Sequence, residues 1–481
     1  MSAAGFFPFA FKKSPKPLPK NQAPRVRSKT LPGPQSQKLA EQLKRYECPQ
    51  VTYVGGVFPV FLHKGKGANL FDLDGNRYLD MTSSFGVCSL GYGNTAIIEA
   101  VRRQSLDMLH GMGDVHPNAV KIELAKKLAE ITPGNLSQSF FSSTGSEAVE
   151  TALKTAVMAT GKTGVIAFDG AYHGLNYGAL HVTHREDFRA PFARQLGKHA
   201  QFAIWPDTRL YGNKATEISM KSVRAIAAKA KRSPHRIGAV IVEPIQARGG
   251  VRVPPQDFLK ELRAFCDQEG ALLILDEIFT GFGRTGMMFA CEKSGVVPDL
   301  MCLGKALSGG LPLSVCIGSA RTMHAWGPSK GDAIHTSTYL GHPLGCAAAL
   351  AAIAELDGKK LVERSRRLGE VLRRDLYKLK EKHSLIGDIR GAGLLIGVEL
   401  NERPAFALTA AKPSRSKTPQ GPPPASEQAR RTTEGLMQRG ILALTCGAAH
   451  NVIQLAPPFV LTEEDAALAV KALDEVLKKI V

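Results

Sequence analysis

Five short stretches carry residue types that could do chemistry. In "LGKALSGG", Lys305 is a lone amine between an apolar run and a Gly-rich turn. Lysine is seldom buried without a use. Desolvated and near other cations, its pKa falls and it becomes a nucleophile. In "ALLILDEIFTGFGRTG", Asp276 ends an apolar run, where a carboxylate demands a cationic partner. A protonated heterocyclic nitrogen would serve, and so would Arg284. Thr144, Gly145 and Ser146 stand at the start of a helical pattern, where hydroxyls and free N–H groups can hold a phosphate. The same residues also suit a plain helix cap. Tyr172, with His173 and Gly174, could lay a ring flat on a planar ligand or simply pack in the core. In "EPIQARGG", Glu243, Gln246 and Arg248 group just past another apolar run. Polar groups there are costly unless paired or functional.

These residues share a position in the chain pattern. "SQSFFSS", "GVIAFDG", "GAVIVEP", "ALLILDE", "PDLMCLG" and "LPLSVCIGS" are near-continuous apolar runs of strand length, as in strands buried on both faces. Amphipathic helical patterns such as "SEAVETALKTAVMAT" and "PQDFLKELRAFCDQEG" separate them. The alternation predicts an α/β fold with a mainly parallel, helix-covered sheet. Ligands bind such sheets at the carboxyl ends of the strands, and all five stretches follow strand ends. A nucleophilic amine, a phosphate cup, a stacking ring and an acid for a ring nitrogen are together what a pyridoxal phosphate (PLP) site needs. Further on, "LVERSRRLGEVLRRDLYKLKEKH" reads as a long amphipathic helix, "GAGLLIGVEL" as a strand, and the C-terminus as a strand and a helix capped by Thr462. "GANLFDLDGNRYLDM" reads as a hairpin turning at Asp-Gly and packing with this smaller C-terminal domain.

From about residue 50 to the C-terminus the sequence resembles the class III, fold-type I, PLP-dependent aminotransferases. "LLILDEIFTGFGRTG" followed by "PDLMCLGKALSGGLPLS" carries the resemblance, supported by "GSEAVETALK", "YHG", "VEPIQ" and "HTSTYLGHPLGCAAALA". The resemblance implies a large domain (81–335) with a mainly parallel seven-stranded sheet. It implies a smaller α+β domain from both chain ends (41–80 and 336–481), in which the basic, Pro-rich stretch at about 404–428 reads by its composition as an exposed loop. It further implies that Lys305 bonds covalently to PLP and shuttles a proton, and that Asp276 keeps the pyridine nitrogen protonated. Thr144, Gly145 and Ser146 would surround the phosphate and Tyr172 would stack on the ring. His173, Glu243 and Ile278 would complete the cofactor's surroundings. Thr338 would reach the cofactor of a second subunit, implying a homodimer with shared sites. Phe85, in "TSSFGV", would stand at the site mouth. Two features depart from the family pattern. Phe279 stands where Gln is frequent. Arg248 and Gln454 replace the Glu and Arg that members acting on ω-amino acids pair, so that switch is absent, and Arg248 could itself meet a substrate carboxylate or pair with a neighbouring acid.

The expected activity is ping-pong transfer of an amino group to a 2-oxo acid such as 2-oxoglutarate or pyruvate. The donor would be an amino acid or an ω-amino compound such as 4-aminobutyrate or an ornithine derivative. An amino-acid racemase or aminomutase on the same scaffold is the alternative. The 481 residues are 44% hydrophobic with a net charge of +19. Eight Lys/Arg and no acid fall in residues 1–40, which read as a basic, Pro-rich solvated tail. No aromatic-interleaved basic stripe supports nucleic-acid binding, and no apolar run is long enough to span a membrane. The eight cysteines show no metal-ligand spacing, so neither a metal nor disulfides are expected. A cytoplasmic location follows, or the mitochondrial matrix if the basic N-terminus is a transit peptide.

Overall fold

The computed structural model describes residues 20–402 and 422–480. At its centre is a seven-stranded sheet in the order Leu136–Ser142, Ser314–Ser319, Leu300–Leu303, Leu272–Asp276, Ile237–Val242, Gly164–Phe168, Ala200–Ala203. Only Ser314–Ser319 runs against its neighbours. The four strands from Gly164–Phe168 through Leu300–Leu303 are almost wholly buried, which is why they read as unbroken apolar runs. Six of the seven coincide with the runs found in the sequence. The seventh, Ala200–Ala203, is a short, half-exposed edge strand whose alternating pattern carries no such signal.

Two four-stranded sheets flank this layer. One joins the N-terminal hairpin Asn69–Asp72 and Arg77–Asp80 to the C-terminal strand Ile441–Leu442, so both chain ends meet in one sheet. The hairpin turns at Gly75 (φ +78°), and Asp72 Oδ1 accepts from the N–H groups of Asp74 and Asn76. The other sheet contains Ile386–Ala392, Leu395–Leu400, Val452–Leu455 and Leu444–Cys446. "GAGLLIGVEL" is therefore a hairpin corner and one strand, because Gly393 (φ +51°) turns the chain after Ala392. The final helix, Glu463–Ile480, carries the expected cap: Thr462 Oγ1 accepts from Asp465 N–H, and Asp465 answers to Thr462 N–H.

Two expectations are corrected. Residues 1–19 lie outside the described residues, but the chain from Lys20 is not a solvated tail. Asn21 donates to Val460 O and Asp465, its side-chain oxygen accepts from Ala68 N–H, and Pro34–Tyr46 is a helix. Asn21 thereby ties the two chain ends together. Of the expected loop at 404–428, residues 404–421 lie outside the described part, and Ser426 already opens the helix Ser426–Gln438. The apolar stretch from Cys346 is a buried helix, Pro343–Gly358, and no described helix is long and apolar enough to cross a membrane.

Candidate active site

The carboxyl ends of the parallel strands open onto a cavity of about 500 Å³. Lys305 follows the strand Leu300–Leu303 with a left-handed backbone (φ +47°), a conformation that costs free energy in a non-glycine residue and is retained where the surroundings enforce it. Its amine lies 4.3 Å from the centroid of the Phe279 ring. Burial lowers the Lys305 pKa to about 8; Asp276 and Glu243 oppose that fall, and Arg248 adds to it.

Asp276 closes the strand Leu272–Asp276 and is 5% exposed. Its Oδ2 lies 2.7 Å from His173 Nδ1, and its Oδ1 accepts from Ile278 N–H at 3.1 Å. Arg284 is not its partner: that guanidinium is fully buried elsewhere, donating to Leu394 O, Pro457 O, Ser83 Oγ and Ser89 Oγ. The other nitrogen of His173, Nε2, is buried with no partner among the described residues. Glu243 accepts from the N–H groups of Tyr172 (3.0 Å) and Ala247 (3.1 Å), and burial raises its pKa to about 7.

Thr144 is the helix cap that the residues also suited. It forms a capping box with Glu147 at the start of Gly145–Thr160. The two readings are compatible, because Gly145 and Ser146 line the cavity one residue further on. Added atoms would not fit there. A Cβ on Gly145 would lie 2.9 Å from Ile278 Cδ1, and one on Gly174 would lie 2.5 Å from Ser146 Oγ. The N–H groups of this helix's first turn suit an anion. Tyr172 also lines the cavity, its ring meeting Phe188 edge-on at 5.8 Å and carrying Arg248 at 4.6 Å.

The structure thus gathers Thr144, Gly145, Ser146, Tyr172, His173, Glu243, Arg248, Asp276, Ile278 and Lys305 around one cavity. It does not bring in Phe85 or Thr338. Phe85 is 58% exposed on a run of left-handed residues, Ser83–Phe85, ahead of Gly86. The neighbours of Phe85 do reach the site: Val87 lines the cavity, and Gly86 faces the Phe279 ring. Thr338 is exposed on an irregular segment outside it. Asn176 and Leu311–Leu313 were missed as lining residues. The Gly-Gly before Leu311 was their one visible signal. Gln454 donates to Ala247 O at 3.0 Å and so has a structural task.

The residues present fit PLP by their own chemistry: an amine with a lowered pKa, a buried carboxylate with no Lys or Arg paired to it, an orphaned histidine nitrogen and a helix terminus cleared by glycines. Solved structures that share this architecture include several transaminases. One is an amine transaminase from an uncultivated Pseudomonas species in its PLP-bound form, with a TM-score of 0.81 and 28% identity over 91% of this chain and 99% of that one. Residues 52–477 match the family described as aminotransferase class-III, and the chain belongs to that family of PLP-dependent enzymes. It is 34% identical to the 5-aminovalerate aminotransferase DavT of Pseudomonas aeruginosa, over 90% of this chain and 98% of the relative. It is 36% identical to the putrescine aminotransferase of Pectobacterium atrosepticum, over 89% and 84%.

Proposed function

We propose that this aminotransferase takes the terminal amino group of an ω-amino acid or ornithine-type donor and passes it to a 2-oxo acid, with Lys305 as the covalent anchor of PLP. The observation that carries the assignment to Lys305 is its position: it lines the cavity just past the strand Leu300–Leu303, with its amine 4.3 Å from the centroid of the Phe279 ring. PLP, when bound, supplies an electron sink for the electrons left on the donor carbon. The chain's own residues do the rest. The N–H groups of Gly145 and Ser146 bind the phosphate at the helix terminus. Asp276 holds a proton on the ring nitrogen, and His173 positions Asp276 through the 2.7 Å contact. Tyr172 and Ile278 orient the ring. Lys305 Nζ takes the proton from the donor carbon and returns it on the way to product.

A homodimer belongs to the same reading. Leu106, at the end of the helix Thr95–Asp107, and Met108, Leu109, Met112 and Val115, on the loop that follows, are all exposed, and this loop meets the segment around Thr338: His110 packs on Tyr339 at 5.3 Å, and Asp114 accepts from Thr336. An apolar patch of this kind marks an interface, and a second copy there would place Thr338 against its neighbour. The division into a large domain (81–335) and a small one from both chain ends, and a cytoplasmic location with all eight cysteines as free thiols, complete the proposal.

The test is the visible absorption of the purified protein mixed with single donors in the absence of acceptor. The expected result is that 4-aminobutyrate or 5-aminovalerate bleaches the yellow colour, 2-oxoglutarate restores it, and Lys305→Ala does neither. A protein that no donor bleaches, yet that scrambles the chirality of an amino acid without acceptor, would be a racemase instead.

A further inference from the structure

The loop Gln246–Arg252 is held at almost every backbone group. Gln246 and Arg252 exchange N–H···O bonds at 3.1 and 3.0 Å, closing it. Ala247 N–H donates to Glu243, and Ala247 O accepts from Gln454. Arg248 O accepts from Gly447 N–H at 2.9 Å. Gly250 O and Val251 O accept from Arg390 Nε, both at 3.0 Å. Val251 is fully buried and left-handed (φ +49°), an outlier for a β-branched residue that persists only where surroundings over-determine it. Two residues of this braced loop line the cavity, Ala247 and Arg248, and Arg248 is the charged one.

The nearby arginines have carboxylates of their own: Arg185 pairs with Asp187, Arg209 with Asp207, and Arg390 with Asp388 and Glu399. Arg248 has none among the described residues. It rests on the Tyr172 ring at 4.6 Å and near Phe188 at 5.9 Å. Its charge depresses the pKa of both Lys305 and His450, which places it within electrostatic reach of the amine. A half-buried guanidinium without an anion pays desolvation uncompensated. Its planar fork matches a carboxylate, and a rigid loop holds that fork in place before the ligand arrives.

We infer that Arg248 is the receptor for a substrate carboxylate set apart from the reacting nitrogen by an aliphatic chain, so that the enzyme accepts ω-amino acids and rejects diamines. The inference rests on the aminotransferase reading of the same cavity. A diamine would bring a second ammonium to the unpaired guanidinium of Arg248 at the cavity lining, and like charges repel. In this the chain parts from its putrescine-named relative.

The experiment compares 5-aminovalerate, pentylamine and putrescine with wild type, Arg248→Met and Arg248→Lys. Alongside it, calorimetry measures glutarate binding to the resting holoenzyme. Methionine keeps an unbranched apolar stem and removes the guanidinium with its charge. Wild type is expected to turn over 5-aminovalerate at least tenfold more efficiently than putrescine. In Arg248→Met the ratio of KM for 5-aminovalerate to KM for pentylamine is expected to rise tenfold to about a hundredfold, the range for a lost charge-assisted contact. Glutarate binding should disappear, and Arg248→Lys should fall between. Equal effects of Arg248→Met on both substrates, glutarate binding that survives it, or a wild type that prefers putrescine would each overturn the inference. Because the wild-type preference needs no variant, a misfolded Arg248→Met leaves the test intact. Glutarate binding that depends on Arg248 in a protein that transaminates nothing would sink the reaction assignment and leave the receptor standing.

Discussion

Cofactor-free protein should capture PLP as though Lys305 titrated near pH 8 and not near the 10.5 of an ordinary lysine. The attacking species is the neutral amine. With a pKa of about 8, roughly one molecule in ten carries it at pH 7; at 10.5 the figure is about one in three thousand, so the cavity supplies roughly a 300-fold advantage. The second-order capture rate, followed by absorbance on cofactor-free protein, should rise about tenfold per pH unit below pH 8 and level off above it. The causes of the shift give the reasoning a second edge. Burial depresses the pKa, Asp276 and Glu243 raise it, and Arg248 depresses it. Glu243→Gln should therefore move the break to lower pH and Arg248→Met to higher pH. A rate that climbs to pH 10 without a break would refute the desolvated-amine argument. A break that ignores both substitutions would refute the assignment of its causes.

Three other predictions follow from the same geometry. Glu243 is raised to about 7, so its contribution to cofactor-free stability is present below pH 4.5 and lost as pH rises to 7; the shift corresponds to about 3 kcal/mol at most, and Glu243→Gln should abolish that part of the pH dependence in urea unfolding. Gly174 has φ +124° and no room for a methyl group beside Ser146 Oγ, so Gly174→Ala should weaken PLP affinity at least about tenfold by equilibrium dialysis while the far-ultraviolet circular dichroism stays unchanged. Arg284→Met should lower the unfolding free energy by about 1–3 kcal/mol for each of the two carbonyls and two serine hydroxyls it leaves unsatisfied, and Arg284→Lys should not restore it because an ammonium lacks the planar fork.

Much of the site was legible in the sequence because a parallel sheet imposes a rule. Strands that run the same way deliver their carboxyl ends to the same edge. Once "GVIAF", "GAVIV", "ALLIL" and "LMCL" read as buried strands, the residues just beyond them, Tyr172, Glu243, Asp276 and Lys305, had to be neighbours however far apart in the chain. The glycines and hydroxyls of Thr144–Ser146 announced the helix terminus in the same way. Capping at Thr462 and the turn at Gly75 were legible because they are local.

Pairings between elements were decided only by the tertiary structure. Asp276 meets His173, from a strand two places away in the sheet, and Arg284, only eight residues on, is turned to carbonyls and hydroxyls from other elements. Nothing in the local pattern distinguishes those partners. The ordering of Lys20–Tyr46 depends on Asn21 finding Val460 and Asp465 at the far end of the chain. The edge strand Ala200–Ala203 is specified by the neighbour it pairs with, since its own residues are half-exposed. The rigidity of the Arg248 loop likewise comes from Arg390, Gly447 and Gln454. The sequence by itself determined which groups can do chemistry and which edge of the sheet they occupy, because backbone periodicity and strand direction are local properties. The tertiary structure decided which of those groups are paired and which stand free, because a partner is a matter of proximity through space.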